Sequence, residues 1–296
     1  MNAPELIVDP QLLARFDKPG PRYTSYPTAD RFVEAFGPEA YRGALRRRRG
    51  NKLARPLSLY VHLPFCNTIC YYCACNKVIT KDHGRSAKYI RYLAKEMDLV
   101  AAETGEGQRI EQLHWGGGTP TFLNALELRE LMGAIRGRFE MPRDGEYSIE
   151  VDPRSADPIT VAVLGELGFN RISMGVQDFD PDVQRAVNRI QPYAMTASCV
   201  RAARDAGFRS VNLDLIYGLP KQTPERFVDT LDKVTELAPE RVALYNYAHL
   251  PTVFKPQRRI NDADLPKAET RMALLTLAIR KLTEAGYVYI GMDHFA

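Results

Sequence analysis

LSLYVHLPFCNTICYYCACNK, residues 57–77, is the stretch from which this chain is read. Its first seven residues are apolar, β-branched or aromatic, the composition of a strand. A Pro–Phe step then leads into CNTICYYCAC (66–75), so four of the five cysteines follow directly on one strand. A disulfide framework spreads its cysteines along a secreted chain, and an odd count fits it poorly. In a reducing compartment so tight a cluster is a metal site.

Thiolates are soft ligands suited to zinc or to iron–sulfur clusters. Zinc sites are usually built from two separated cysteine knuckles or from cysteine with histidine, and the only other cysteine here is Cys199. One compact loop offering Cys66, Cys70 and Cys73 suits a cubane held at three irons, with the fourth iron open to a non-protein ligand. Cys75, as a fourth ligand, would close that position, so it reads as a pocket residue. Cys199 reads as a small buried residue, and His62, His114 and His249 as structural.

Outward from this loop, strands and helices alternate. Strands are expected at 57–63, 110–115, 146–151, 170–176, 210–217 and 241–247, and helices at 86–103, 124–138, 157–167, 192–206, 224–237 and 264–285. Asp157-Pro158 and Thr223-Pro224 are helix starts with proline at the first helical position. Six βα units predict a parallel sheet, either doubly wound and open or curled into a barrel. The polar residues decide between them. Cys66 follows the first strand, GGGTP (116–120) the second, Glu150 ends the third and Gln177 follows the fourth; Asp214 lies late in the fifth, and Tyr245, Asn246 and Tyr247 end the sixth. Six units feeding one mouth at their carboxyl ends are a barrel. The expectation is an α/β fold, a partial (β/α)6 TIM-like barrel over 55–290. Before it, 1–54 forms an extended arm (18–32) and a short helix stopped by Gly50. Arg46 to Arg49 are read as that helix's solvated end.

Composition narrows the function. A net charge of +4 lacks the basic footprint of nucleic-acid binding. No apolar run approaches a membrane span, and no secretory signal opens the sequence, so a cytoplasmic, membrane-free protein is expected.

The C-x3-C-x2-C spacing with Tyr72 before the third cysteine resembles the radical S-adenosylmethionine (SAM) superfamily. Within it, CYYCACNK, PRYTSYPTADRF, HWGGGTPT, SMGVQDFDPDVQRAVNRIQP, LDLIYGLPKQT and YNYAHLPTVFKPQRRI resemble the oxygen-independent coproporphyrinogen III oxidase family along nearly the whole chain. The resemblance implies a [4Fe–4S] cluster on Cys66, Cys70 and Cys73 and two SAM molecules. Tyr60, Gly117 and Glu150 match positions around the cluster-bound SAM. Tyr72, Gly118, Thr119, Gln177, Arg189, Asp214 and Ala248 match positions around the second. The implied reaction turns two propionates of coproporphyrinogen III into vinyls, giving protoporphyrinogen IX in haem biosynthesis through a 5′-deoxyadenosyl radical. An electron donor and an acceptor, both unidentified, and a monomeric state go with it. That family continues into a helical C-terminal domain, of which 291–296 is expected to be the truncated start. Read from the residues alone, GGGTP is a tight turn with Thr119 capping the next helix, and Glu150 and Asp214 divide evenly between function and caps or ion pairs. Two other functions compete: a haem-binding or haem-transfer protein of the same branch, and a structural zinc module.

Overall fold

The structure, a computed structural model, describes residues 27–49, 51 and 55–296, together with Asp9, Gln11, Leu12 and Arg15. Most of the expected arm, and Gly50, lie outside the described residues. A turn at Ala29–Arg31 and helix α1 (Pro38–Arg46), which buries no residue, lead into the sheet. The arginine run at the end of α1 is partnered: Arg46 donates to Glu103 at 2.6 Å and Arg48 to the carbonyl of Arg55.

In chain order there follow β1 (Leu57–Leu63), β2 (Phe65–Cys66), β3 (Val78–Ile79), α2 (Gly84–Thr104), β4 (Gln108–Gly117), α3 (Ala125–Arg136), β5 (Phe139–Glu140), β6 (Glu146–Val151), α4 (Pro158–Glu166), β7 (Arg171–Gln177), α5 (Pro181–Ala186), α6 (Tyr193–Asp205), β8 (Ser210–Tyr217), α7 (Pro224–Leu237), β9 (Arg241–Asn246), α8 (Ala268–Glu284), β10 (Tyr289–Gly291) and β11 (His294–Phe295). The six long strands pair in the order β1-β4-β6-β7-β8-β9, every pair parallel. A doubly wound sheet reverses its strand order at a switch point. Here the order never reverses, so the sheet curls one way as a partial barrel, as expected. Its end strands, β1 and β10, are not paired with each other, and the barrel stays open.

The helices begin where capping chemistry puts them. Asp157 accepts from the backbone of Thr160, and Thr223 from that of Arg226, each ahead of a proline. Helix α3 starts at Asn124, whose side chain accepts from Glu127 N while Glu127 accepts from Asn124 N. This capping box corrects the reading of Thr119 as the cap: Thr119 opens a separate 3-10 turn, Pro120–Phe122, and makes no capping bond. Helix α8 starts later than expected because Asp262–Asp264 forms its own turn.

The short strands β2, β3 and β5, the short helix α5 and the terminal hairpin have no counterpart among the expected elements. β11 pairs antiparallel with β9 and β10 with β11, so the hairpin extends the barrel's sheet, and a domain boundary at 290 cuts through it. Its turn residues Met292 and Asp293 both take positive φ, 48° and 70°. Two-residue hairpin turns need that backbone, but Met-Asp is not the Asn-Gly or Asp-Gly that marks such a turn in a sequence.

Burial alternates along the strands. On β8, Val211, Leu213, Leu215 and Tyr217 are buried towards the helices, while Asn212, Asp214 and Ile216 are only partly so. β6 and β7 show the same alternation. Outward-facing positions join the helices in one core with Trp115, Ile149, Met174 and Phe227. The inward-facing positions remain for chemistry.

Candidate active site

The cysteine loop is held from several sides. β2 and β3 clasp its two ends, Val78 N donating to Pro64 O at 2.7 Å and Thr80 N to Cys66 O at 3.0 Å. The GGGTP turn grips its start, through Gly118 N to Leu63 O and Thr119 N to Phe65 O, both 2.9 Å. A Cβ on Gly118 would lie 2.5 Å from Pro64 O, and Gly117 takes φ +123°, so both positions demand glycine. His62 spans Asn76 O (2.9 Å) and the Tyr60 hydroxyl (3.0 Å). From the far side Tyr71 N donates to Val187 O at 2.9 Å, and Asn188 Nδ2 to Ile69 O at 2.7 Å.

Within this loop Cys70 is buried, Cys66 and Cys73 are partly buried and Cys75 is exposed. Burial, with the charges of Cys73 and Cys70, pushes the Cys66 thiol up to about 12. Cys75 donates a bond to the Cys73 sulfur, which draws Cys73 down to about 6 despite its burial and raises Cys75 itself. Cys70 faces cations: Arg154 NH2 lies 3.3 Å and Arg189 NH1 3.6 Å from its Sγ. Asp152 joins the two arginines. Its Oδ2 accepts from Arg154 NH2 at 2.6 Å and from Arg189 NH1 at 3.2 Å. Burial opposes ionisation of Asp152, but Arg189 and Arg154 outweigh it and hold the carboxyl at about 2.

The remaining expected residues ring the mouth. Glu150 Oε2 accepts from Gly117 N at 3.1 Å, and its Oε1 lies 3.3 Å from His114 Nε2. The His114 ring stacks on exposed Tyr60, centroids 5.7 Å apart. Glu150 therefore caps no helix, and its neighbours are an amide and an imidazole. Asp214 is held by neutral donors: Ser173 Oγ donates to it at 3.0 Å and Asn212 Nδ2 at 2.7 Å. Burial and the nearby Glu150 push it up to about 7 against those bonds. Arg189 is almost fully buried and also donates to Gly175 O at 2.6 Å. Gln177 holds φ +70° at a β7 irregularity, a left-handed backbone that is uncommon for a residue with a side chain. Tyr72 and Ala248 are brought together by Gln257, which donates to both their carbonyls at 3.1 Å. Thr119 Oγ1 faces Thr121 Oγ1 at 2.9 Å, beside the loop. Cys199 is buried against Ala156 O, and His249 sits between Tyr247 and Asp262.

Four residues escaped the sequence reading. Asp152 was legible, an acidic residue two places beyond Glu150 and just past the end of β6. Arg154 sits in a 3-10 turn with no periodicity to mark it, and Gln257 acts from 185 residues away from Tyr72. Asp178 is buried beside Gln177, accepting from Gln222 Nε2 at 2.6 Å and Thr230 Oγ1 at 2.8 Å, a role that only the packing reveals.

The donor set fits a cubane, which asks for one thiolate at each of three iron corners rather than convergence on one ion. Among the described residues no three His, Cys, Asp or Glu converge as ligands of a single ion do. A family model described as the radical SAM superfamily matches residues 60–234, more than half of the chain. The chain belongs to the radical SAM superfamily. As a radical SAM protein it carries a [4Fe–4S] cluster and binds SAM. It is 56% identical to the oxygen-independent coproporphyrinogen III oxidase of Pseudomonas aeruginosa over 97% of this chain and 63% of that protein. With the enzyme of the same name from Escherichia coli it shares 48% over its whole length and 64% of that protein. A solved structure of Escherichia coli coproporphyrinogen III oxidase, a radical SAM enzyme, superposes with TM-score 0.89 over 97% of this chain and 63% of that one. The chain thus spans slightly less than two thirds of the length of these relatives. No helix among the described residues is long and apolar enough to cross a membrane.

Proposed function

We propose that this radical SAM protein is an oxygen-independent coproporphyrinogen III oxidase, converting two propionates of coproporphyrinogen III to vinyls in haem biosynthesis. The observation that carries this reading is 56% identity to an enzyme of that name over 97% of the chain, with the CYYCACNK loop inside the match. Cys66, Cys70 and Cys73 hold the cluster. When bound, cluster and SAM would supply the carbon-radical chemistry that oxidative decarboxylation of a propionate needs, with CO2 lost and one electron left for an acceptor.

The chain's residues bind and orient. Gly117, Glu150 and Tyr60 hold the cluster-bound SAM: Glu150 accepts from its ammonium or ribose groups, the glycine lets the backbone approach, and Tyr60 offers its ring. Tyr72, Gly118, Thr119, Gln177, Arg189, Asp214 and Ala248 surround a second SAM, with Gln257 fixing the spacing of Tyr72 and Ala248. Cys75, exposed beside Glu150 and Tyr60, lines the pocket. The radical requires a pocket that excludes water. A low-potential electron donor and an electron acceptor complete the balance, and the protein acts as a cytoplasmic monomer.

The test is anaerobic reconstitution with iron and sulfide, reduction, and addition of SAM with and without coproporphyrinogen III. 5′-Deoxyadenosine that rises with the porphyrinogen, together with vinyl product, is expected. Deoxyadenosine indifferent to the porphyrinogen would remove the substrate assignment while leaving the radical chemistry.

A further inference from the structure

We infer that Arg154 tunes the reduction potential of the cluster through its hydrogen bond to Cys70. The inference rests on Cys70 being a cluster ligand. Arg154 is not among the residues that the SAM reading uses, yet its guanidinium is built into place. Its backbone N and its Nε each donate to Asp152 Oδ1 at 3.0 Å, and its NH2 donates to Oδ2 at 2.6 Å. The same NH2 then lies 3.3 Å from the Cys70 sulfur. Side-chain exposure is 19% for Arg154 and 16% for Asp152, so the contact is shielded from water.

The three charged groups beside Cys70 sum to one positive charge, since Asp152 offsets one of the two arginines. A ligating thiolate carries part of the cluster's charge, and hydrogen bonds to it favour the reduced, more negative form. In a site of low local dielectric that preference is amplified. Arg189 stands farther from the sulfur, at 3.6 Å, and its NH2 is committed to Gly175 O. Both guanidinium–sulfur contacts fall on Cys70, so the arginines bias one corner of the site. Reduction places one electron from a low-potential donor, dithionite in the test, on the cluster; at Arg154 no covalent bond changes and no proton moves.

The experiment compares reconstituted wild type, Arg154→Lys and Arg154→Gln. Iron and sulfide are counted, and the midpoint potential is read by spin resonance during a redox titration without SAM. At the wild-type midpoint the reduced-to-oxidised ratio should fall roughly tenfold in Arg154→Gln, about 59 mV for a one-electron couple. Arg154→Lys should fall between, because a point charge cannot hold Asp152 bidentately and still reach the sulfur. Fully loaded variants with the wild-type midpoint would overturn the inference. If only the lysine variant loads, a lowered midpoint supports it, whereas an unchanged one makes Arg154 structural and overturns it. Wild type that assembles no four-iron cluster overturns the ligand reading itself, a failure distinct from the others.

Discussion

The two faces of the same strands meet opposite surroundings. Outward, Leu113, Trp115, Ile149, Met174, Leu213 and Leu215 are at most 1% exposed and pack against the helices. Inward, His114, Ser148, Glu150, Ser173, Asn212 and Asp214 line a cavity of about 330 Å³. The interior of a closed TIM barrel is filled with branched apolar side chains. This interior is polar, so fold and site are written on alternate residues of one segment. With a period of two, a slip of one residue would exchange them.

The sharpest way to break this separation is a matched pair of substitutions. Leu213→Ala should cost about 2–5 kcal/mol of stability, the range for a fully buried leucine that leaves a cavity. Glu150→Ala, two strands away and facing inward, should leave the melting temperature near wild type and abolish deoxyadenosine formation. Thermal unfolding and product assay on both proteins decide it. If Glu150→Ala unfolds like Leu213→Ala, the inward face also holds the fold and the division is wrong.

How far the sequence could be read follows from the same division. Outward residues carry a strong periodic signal, and β1, β6 and β8 fall on the expected residues. The strand order was inferable because the polar residues gathered at one end. The site was legible by residue type and resemblance, but not its geometry. Asp152 between two arginines, Gln257 bridging Tyr72 to Ala248 and the strained backbone of Gln177 depend on contacts between segments far apart in the chain. The terminal hairpin was missed because its strands are two and three residues long and its turn carries no glycine.

A subtler test uses Asp214, which belongs to the inward face but is ordered from both sides. In the unfolded chain its carboxyl ionises near pH 4; in the fold it keeps its proton up to about pH 7. Between those values the folded state binds more protons than the unfolded one. Stability from this group therefore falls as pH rises from about 4 to about 7, and the loss is complete above that. Asp214→Asn abolishes the titration. The melting temperature of the variant minus that of wild type should be larger at pH 8 than at pH 5. A difference that does not change with pH would show that Asp214 is ionised throughout, and that the inward face is wetter than its burial indicates.

The smallest effect is expected outside the barrel's inward face, at the start of α3. Asn124 accepts from the backbone of Leu126 and Glu127, both at 3.0 Å. Asn124→Ala strips those two amides of their acceptor and should cost about 1 kcal/mol, while Asn124→Gly should cost only a few tenths. Glu127 limits the damage, because its other oxygen is held by the hydroxyl of fully buried Ser86 on α2 and does not depend on the cap. Helix α3 should therefore stay docked on α2, and SAM-dependent turnover should be unchanged in both variants. Chemical denaturation gives the two costs. Equal costs for alanine and glycine would mean that backbone freedom at residue 124, not the cap, limits this helix. A loss of turnover would mean that the outer shell communicates with the mouth through the Thr119–Leu123 segment, and the two faces would then be less separable than their burial shows.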